Sequence, residues 1–161
     1  MCGKKRVAVI FGGQSSEHEV SRFSAQSIIE NLDKNKYDVV MIGITREGKW
    51  LTYEGPVEKL ATGEWEAIAE SKCNSPKSLA AETCGDSANI DNEIEKIRGE
   101  NKPGGKYDVI FPVLHGTNGE DGTIQGLFEL AGIPYVGCGV LGSALGMDKY
   151  YAKIIFEKEG I

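Results

Sequence analysis

At 161 residues, with 40% hydrophobic and 26% charged residues and a formal net charge of −6, the chain has the size and composition of one folded domain. The acidic balance without any basic run argues against a nucleic-acid or anionic-membrane surface, and no stretch approaches the roughly 18 apolar residues that span a bilayer. Cys2, Cys73, Cys84 and Cys138 form no CxxC pair and the chain has two histidines, so the expectation is reduced thiols, no zinc site and a cytoplasmic protein without a signal peptide.

The first element is the apolar run Arg6-Val7-Ala8-Val9-Ile10-Phe11, which predicts a buried strand of a parallel sheet. It turns through Gly12-Gly13 and restarts as a helix over 19–29, with Val20, Phe23, Ser24, Ser27 and Ile28 on one stripe. Such a turn is expected to bring free backbone N–H groups to the carboxyl edge of the sheet, where open α/β sheets bind ligands. A second strand over 37–44 completes a βαβ unit, and Glu47-Gly48 reads as the turn of a short antiparallel pair. Residues 52–106, with Pro56, Gly63, Pro76 and Gly85 among scattered polar residues, read as an irregular insertion with a helix over 90–97.

Order returns with a third strand over 107–114 and a second glycine turn, His115-Gly116-Thr117-Asn118-Gly119-Glu120-Asp121-Gly122. A helix from Thr123 follows, with Asp121 as N-cap and Ile124, Leu127, Phe128 and Ala131 on one face. Gly132-Ile133-Pro134 stops it; Tyr135-Val136-Gly137 is predicted as a fourth short strand, then come a small helix over 141–147 and a helical tail over 148–159. The fold class is α/β: a doubly wound, open, mainly parallel, Rossmann-like sheet with both glycine turns at one edge and the insertion at 52–106. The tail looks like the first element of a following domain.

Neither nucleotide fingerprint fits the first turn. Gly12-Gly13-Gln14-Ser15-Ser16-Glu17 lacks the spaced glycines of G-x-G-x-x-G, and no acidic residue ends the second strand. A P-loop fails too, because no Gly-Lys-Ser/Thr follows. At Glu17 two readings stand side by side. The helix dipole favours a first-turn carboxylate by roughly 0.3–1 kcal/mol, and a carboxylate directly after the turn also reaches the cleft, where it would bind an ammonium group. Glu19 takes the first reading, and His18 reads as a solvated first-turn residue. His115, at the carboxyl end of a central strand, either donates to a neighbouring carbonyl or meets a substrate carboxylate or developing negative charge. Capping explains Glu120-Asp121 better than Mg2+ ligation does.

Four stretches together carry a family resemblance: 9–21 around Gly12-Gly13-Gln14-Ser15-Ser16-Glu17-His18-Glu19-Val20-Ser21; Gly43-Ile44-Thr45-Arg46-Glu47-Gly48-Lys49-Trp50; 111–126 with His115-Gly116 and Gly119-Glu120-Asp121-Gly122; and Ser143-Ala144-Leu145-Gly146-Met147-Asp148-Lys149. In these the chain resembles the D-alanine–D-alanine ligase family, D-alanine–D-serine and D-alanine–D-lactate ligases included. The resemblance implies an N-terminal substrate-binding (preATP-grasp) domain over 1–147 and the first helix of a central ATP-grasp domain over 148–161. It implies that ATP with Mg2+ phosphorylates the first D-alanine, and that a second D-amino acid or D-lactate attacks the acyl phosphate, making the dipeptide for peptidoglycan synthesis. It puts the ammonium of the first D-alanine on Glu17, its methyl near Val20, and negative charge beside Gly12 and Gly13. Its reacting carboxyl group falls near His115 and Gly116, and the nucleotide side of the junction near Lys149. Glu17 and His115 are then the catalytic candidates, with no metal ligand in this chain and a homodimer as the assembly. The ATP-binding lysines, the Mg2+ carboxylates and the residues choosing among D-alanine, D-serine and D-lactate, and with them any vancomycin-resistance type, are expected beyond Ile161, and the 161 residues alone are expected to be inactive. The alternative is a free-standing α/β module that keeps the turn for a regulatory amino acid.

Overall fold

The computed structural model describes residues 3–73 and 107–161; the helix expected over 90–97 lies outside them. β1 (Lys5–Gly12) is flanked in parallel by β2 (Tyr37–Ile44) on one side and by β4 (Val109–Val113) on the other, and β3 (Trp50–Tyr53) pairs antiparallel with β2. The order is β3-β2-β1-β4. Because β1 is central, both its faces are covered, and the period of two splits its side chains between two cores. Val7, Val9 and Phe11 pack with Ala25 and Ile29 of α1 (His18–Asn31) and with Leu60, Trp65 and Ala69. Ala8 and Ile10 pack on the opposite side with Ile124, Phe128 and Ala131 of the helix over 123–131.

Residues 52–73 are more regular than the expected insertion. β3 runs on to Tyr53, and α2 (Glu58–Thr62) and α3 (Trp65–Cys73) follow. Pro56 and Gly63 bracket the five-residue α2, with Gly63 left-handed at its C-cap (φ 86°). The breakers mark the ends of short helices rather than their absence. Trp65, fully buried, lies edge-on to Phe11 with centroids 4.9 Å apart, and a β-carbon on Gly43 would sit 2.1 Å from its ring. Glycine at 43 makes the space that lets Trp65 cover the sheet.

The stripe read for α1 is also corrected. The buried side consists of His18, Ser21, Ala25 and Ile29, whereas Val20 and Phe23 are 50% and 60% exposed. Small residues at 21 and 25 let the helix lie close to β1 and β4, which large apolar side chains would prevent. The second half follows the sequence reading more closely. α4 (Thr123–Ala131) buries Ile124, Phe128 and Ala131 and half-buries Leu127, and Gly132 ends it in the left-handed region. Residue 135 makes one parallel bridge to Ile110 instead of a strand, held by Ile110 N–H to Pro134 and Val136 N–H to Ile110. α5 (Val140–Met147) and α6 (Lys149–Glu159) complete the order; α6 is capped by the Asp148 carboxylate and has no buried residue.

Candidate active site

The chain leaves β1 toward β2 and leaves β4 toward Tyr135 on the opposite side, so the winding reverses between β1 and β4. Ligands of open α/β sheets sit at the carboxyl ends of such a pair. Here β1 stays paired with β2 as far as Gly12 and Ile44, but parts from β4 after Phe11 and Val113. The parting opens a crevice between the two glycine turns.

The first turn is built by glycine. Gly12 and Gly13 have φ of 89° and 97°, and a β-carbon on Gly12 would fall 2.2 Å from the Ile44 carbonyl oxygen. The amides are not free, which corrects the sequence expectation: Gly12 N–H donates to Ser21 Oγ at 2.7 Å and Gly13 N–H to the Ile44 carbonyl at 2.8 Å. His18 is buried, not solvated. Its Nδ1 lies 2.9 Å from the Gly13 carbonyl, and because a carbonyl only accepts, Nδ1 carries the proton. Glu17 is the exposed N-cap of α1; its carboxylate makes no cap bond, and its N–H donates to Ser15 Oγ at 3.1 Å. Glu19 pairs instead with Arg46 and, at 4.0 Å, with Arg22; the Arg46 hydrogen bond holds its carboxyl below the usual range.

The second turn closes on itself. Gly116 is left-handed (φ 71°), donates its N–H to Glu120 Oε2 at 2.8 Å, and accepts from Glu120 N–H at 2.9 Å. Asp121 is not the N-cap of α4, a position held by Gly122. Its carboxylate accepts from Asn118 N–H at 2.8 Å and Thr123 N–H at 3.0 Å. Partial burial pushes Asp121 up, and these N–H bonds more than reverse it, leaving its pKa below the ordinary value. Half-buried His115 has Nε2 3.2 Å from Ser24 Oγ of α1, a side chain rather than the backbone carbonyl.

The two turns touch through Glu17. A β-carbon on Gly116 would lie 2.7 Å from Glu17 Oε2 and 2.9 Å from Ser15 Oγ, so glycine at 116 leaves room for that carboxylate. A cavity of about 770 Å³ lies on the α4 side, lined by Gly12, Gly13, Gln14, Ser15, Ile44, Trp50, Leu114, His115, Ile124 and Leu127 among others. A second, of about 700 Å³, lies on the other side of His115 with Ser24, Ile28, Glu120, Gln125, Cys138 and Ser143. Of the residues singled out from sequence, Gly12, Gly13 and His115 line the first cavity, and Glu17 meets Gly116 between the two turns without either lining a cavity. Val20, on the exposed side of α1, and Lys149, exposed at the head of α6, line neither cavity. Ser15, Ser21 and Ser24 were missed. For Ser21 the signal was there: a polar residue spaced with Ala25 and Ile29 needs a partner where it is buried.

Residues 6–138 match the family model described as the D-ala D-ala ligase N-terminus. The chain is 66% identical over 158 residues to a D-alanine–D-alanine ligase of Ruminiclostridium cellulolyticum and 61% identical over 169 residues to one of Acetivibrio thermocellus. The first alignment covers 98% of this chain, the second all of it; the chain spans 42% and 43% of those relatives' lengths. Among solved structures it superposes on the VanG D-Ala:D-Ser ligase of Enterococcus faecalis, 42% identical, with a TM-score of 0.76, covering 99% of this chain and 43% of that one. The Coxiella burnetii D-alanine–D-alanine ligase gives 34% identity and a TM-score of 0.74, covering 99% and 42%. The chain belongs to the D-alanine–D-alanine ligase family, and the matched stretch is the family's N-terminal domain.

Proposed function

We propose that this chain supplies the amino-acid half of an ATP-dependent D-alanine–D-alanine, or D-alanine–D-X, ligase site. The observation that carries the reading is the contact of the Glu17 carboxylate with Gly116, which puts an acceptor-only group where the Glu17 and His115 turns meet. A carboxylate there holds the ammonium of a D-amino acid, a charge-assisted hydrogen bond that fixes the amine away from the reacting end. His115, oriented by Ser24, faces the substrate's carboxyl group, and the amino end of α1 favours negative charge beside it.

ATP with Mg2+ activates the carboxylate in this chemistry. The described residues do not fit that group: they hold no set of three or more His, Cys, Asp or Glu side chains for a metal ion, and the Gly12 and Gly13 amides are taken. We assign 1–147 to the substrate domain and 148–161 to the start of an ATP-grasp domain, supported by an α6 that buries none of its residues. No helix among the described residues is long and apolar enough to cross a membrane, and we place the protein in the cytoplasm. The protein partner is a second copy of the chain, to which exposed Val20 and Phe23 offer an apolar surface. Sedimentation is expected to show a dimer; a monomeric boundary up to high concentration overturns that assignment.

The test of the substrate is an NMR titration of the 161-residue chain with D-alanine. Weak, saturable shifts are expected at residues 12–17 and 115–116, and smaller ones with L-alanine. Glu17→Gln removes the charge and keeps the shape, so affinity should fall about tenfold or more. Binding equal to wild type in that variant overturns the role of Glu17.

A further inference from the structure

Ser21 is fully buried one turn into α1, at the place where β1 and β4 part. Its Oγ accepts the Gly12 N–H at 2.7 Å and donates its hydrogen to the Val113 carbonyl. The direction is forced: an N–H only donates, a carbonyl only accepts, and a hydroxyl has one hydrogen. The β1–β4 ladder ends at Phe11 and Val113, so this hydroxyl stands where the next rung would be. It joins the two strands while holding them one oxygen apart.

Both ends of that bridge lead into the site. Ser21 N–H donates to the Glu17 carbonyl at 3.0 Å, so a single helical turn carries both residues. Val113 stands two residues before His115 on the chain. We propose that Ser21 is the positioning residue that sets the gap between the Glu17 and His115 turns, and through it the affinity for the amino-acid substrate. This rests on the substrate reading given above. Without the hydroxyl, the Gly12 N–H and Val113 carbonyl lose their partner in a buried place. They regain one if the strands close or if water enters, and either change moves His115 and Gly116 relative to Glu17.

The experiment compares Ser21→Ala and Ser21→Thr in the 161-residue chain, by D-alanine titration and by thermal unfolding. The alanine variant is expected to bind about tenfold more weakly or worse, whereas threonine, which keeps the hydroxyl, stays within about threefold of wild type. Ala25→Gly, on the same buried side, serves as a control for lost stability and should bind within about twofold of wild type. In the free protein, the nuclear Overhauser contact between the Gly116 α-protons and the Glu17 side chain should vanish in Ser21→Ala and persist in Ser21→Thr. A folded Ser21→Ala that keeps this contact and the wild-type affinity overturns the proposal. If alanine does not fold, Ser21→Cys, a weaker donor, takes its place, and wild-type affinity in that variant overturns it equally. Absence of D-alanine shifts in the wild type overturns the substrate reading itself; shifts present there and unmoved by the serine variants overturn the role of Ser21 alone.

Discussion

Tyr107, beside the first residues of β4, shows how one buried side chain ties stability to pH. It is 3% exposed, and burial pushes its phenol up to about 12, against a small opposing pull from Arg6, whose guanidinium carbon lies 5.7 Å over the ring. An unfolded tyrosine titrates at about 10. The folded state therefore favours the neutral phenol, and this stabilisation is complete below about pH 10 and lost as pH rises through about 12. The difference between titration at about 12 when folded and about 10 when unfolded corresponds to roughly 2–3 kcal/mol. Tyr107→Phe should lose less stability than wild type between roughly pH 9 and pH 12, by up to that amount, in urea unfolding at the two pH values. Lysine titration over the same range affects both proteins and cancels in the difference. Parallel losses in the two proteins would show that the phenol does not carry the effect.

At the scale of elements, legibility follows from how far each signal depends on partners. β1 and β2 were readable to within a residue, because a parallel strand paired on both sides is a largely uninterrupted apolar run. The Glu47-Gly48 turn was readable because a glycine beside a polar residue marks a turn, and Gly48 takes φ 89° there. α1 was readable as a helix but not in its orientation. Its buried side combines the small Ala25 and the apolar Ile29 with two polar bonds, Ser21 to the strand ends and His18 to Gly13, while Val20 and Phe23 stay exposed. Hydrophobic periodicity cannot see such bonds, since the partners arrive from elsewhere in the chain. α2 and α3 escaped notice for a related reason. Their order depends on Trp65 filling the hollow over Gly43, a contact that pairs residues far apart in sequence. The glycines and Glu17 of the site stood out because a turn and a helix start constrain them locally. Of the serines that brace the site, Ser21 carried a signal in its spacing with Ala25 and Ile29, whereas the partners of Ser15 and Ser24 exist only once the strands are side by side.

At the scale of the whole chain, the proposed function assigns recognition to these residues and leaves energy supply to others. The winding reverses between β1 and β4, and the groups gathered there are a carboxylate, an imidazole and braced glycine turns. These suit a zwitterion. Phosphoryl transfer asks for something else: cations and metal ligands around three charged oxygens, acting through position and electrostatics. Among the described residues no metal-ligand cluster exists, the nearby acidic pair Glu120 and Asp121 accepts backbone N–H groups, and Glu19 is held by Arg46. In the relatives, more than half of the length lies outside the stretch this chain matches. The 161-residue chain is therefore expected to bind D-alanine weakly and to release no phosphate above background from ATP with Mg2+ and D-alanine. A coupled phosphate assay, run beside the NMR titration, reads both halves of the claim. Turnover that D-alanine stimulates and Glu17→Gln abolishes would mean that the energy-supplying groups lie within these residues after all. Binding without turnover would leave the crevice between Gly12 and His115 as a recognition surface, whose strength Ser21 and Glu17 set before any nucleotide arrives.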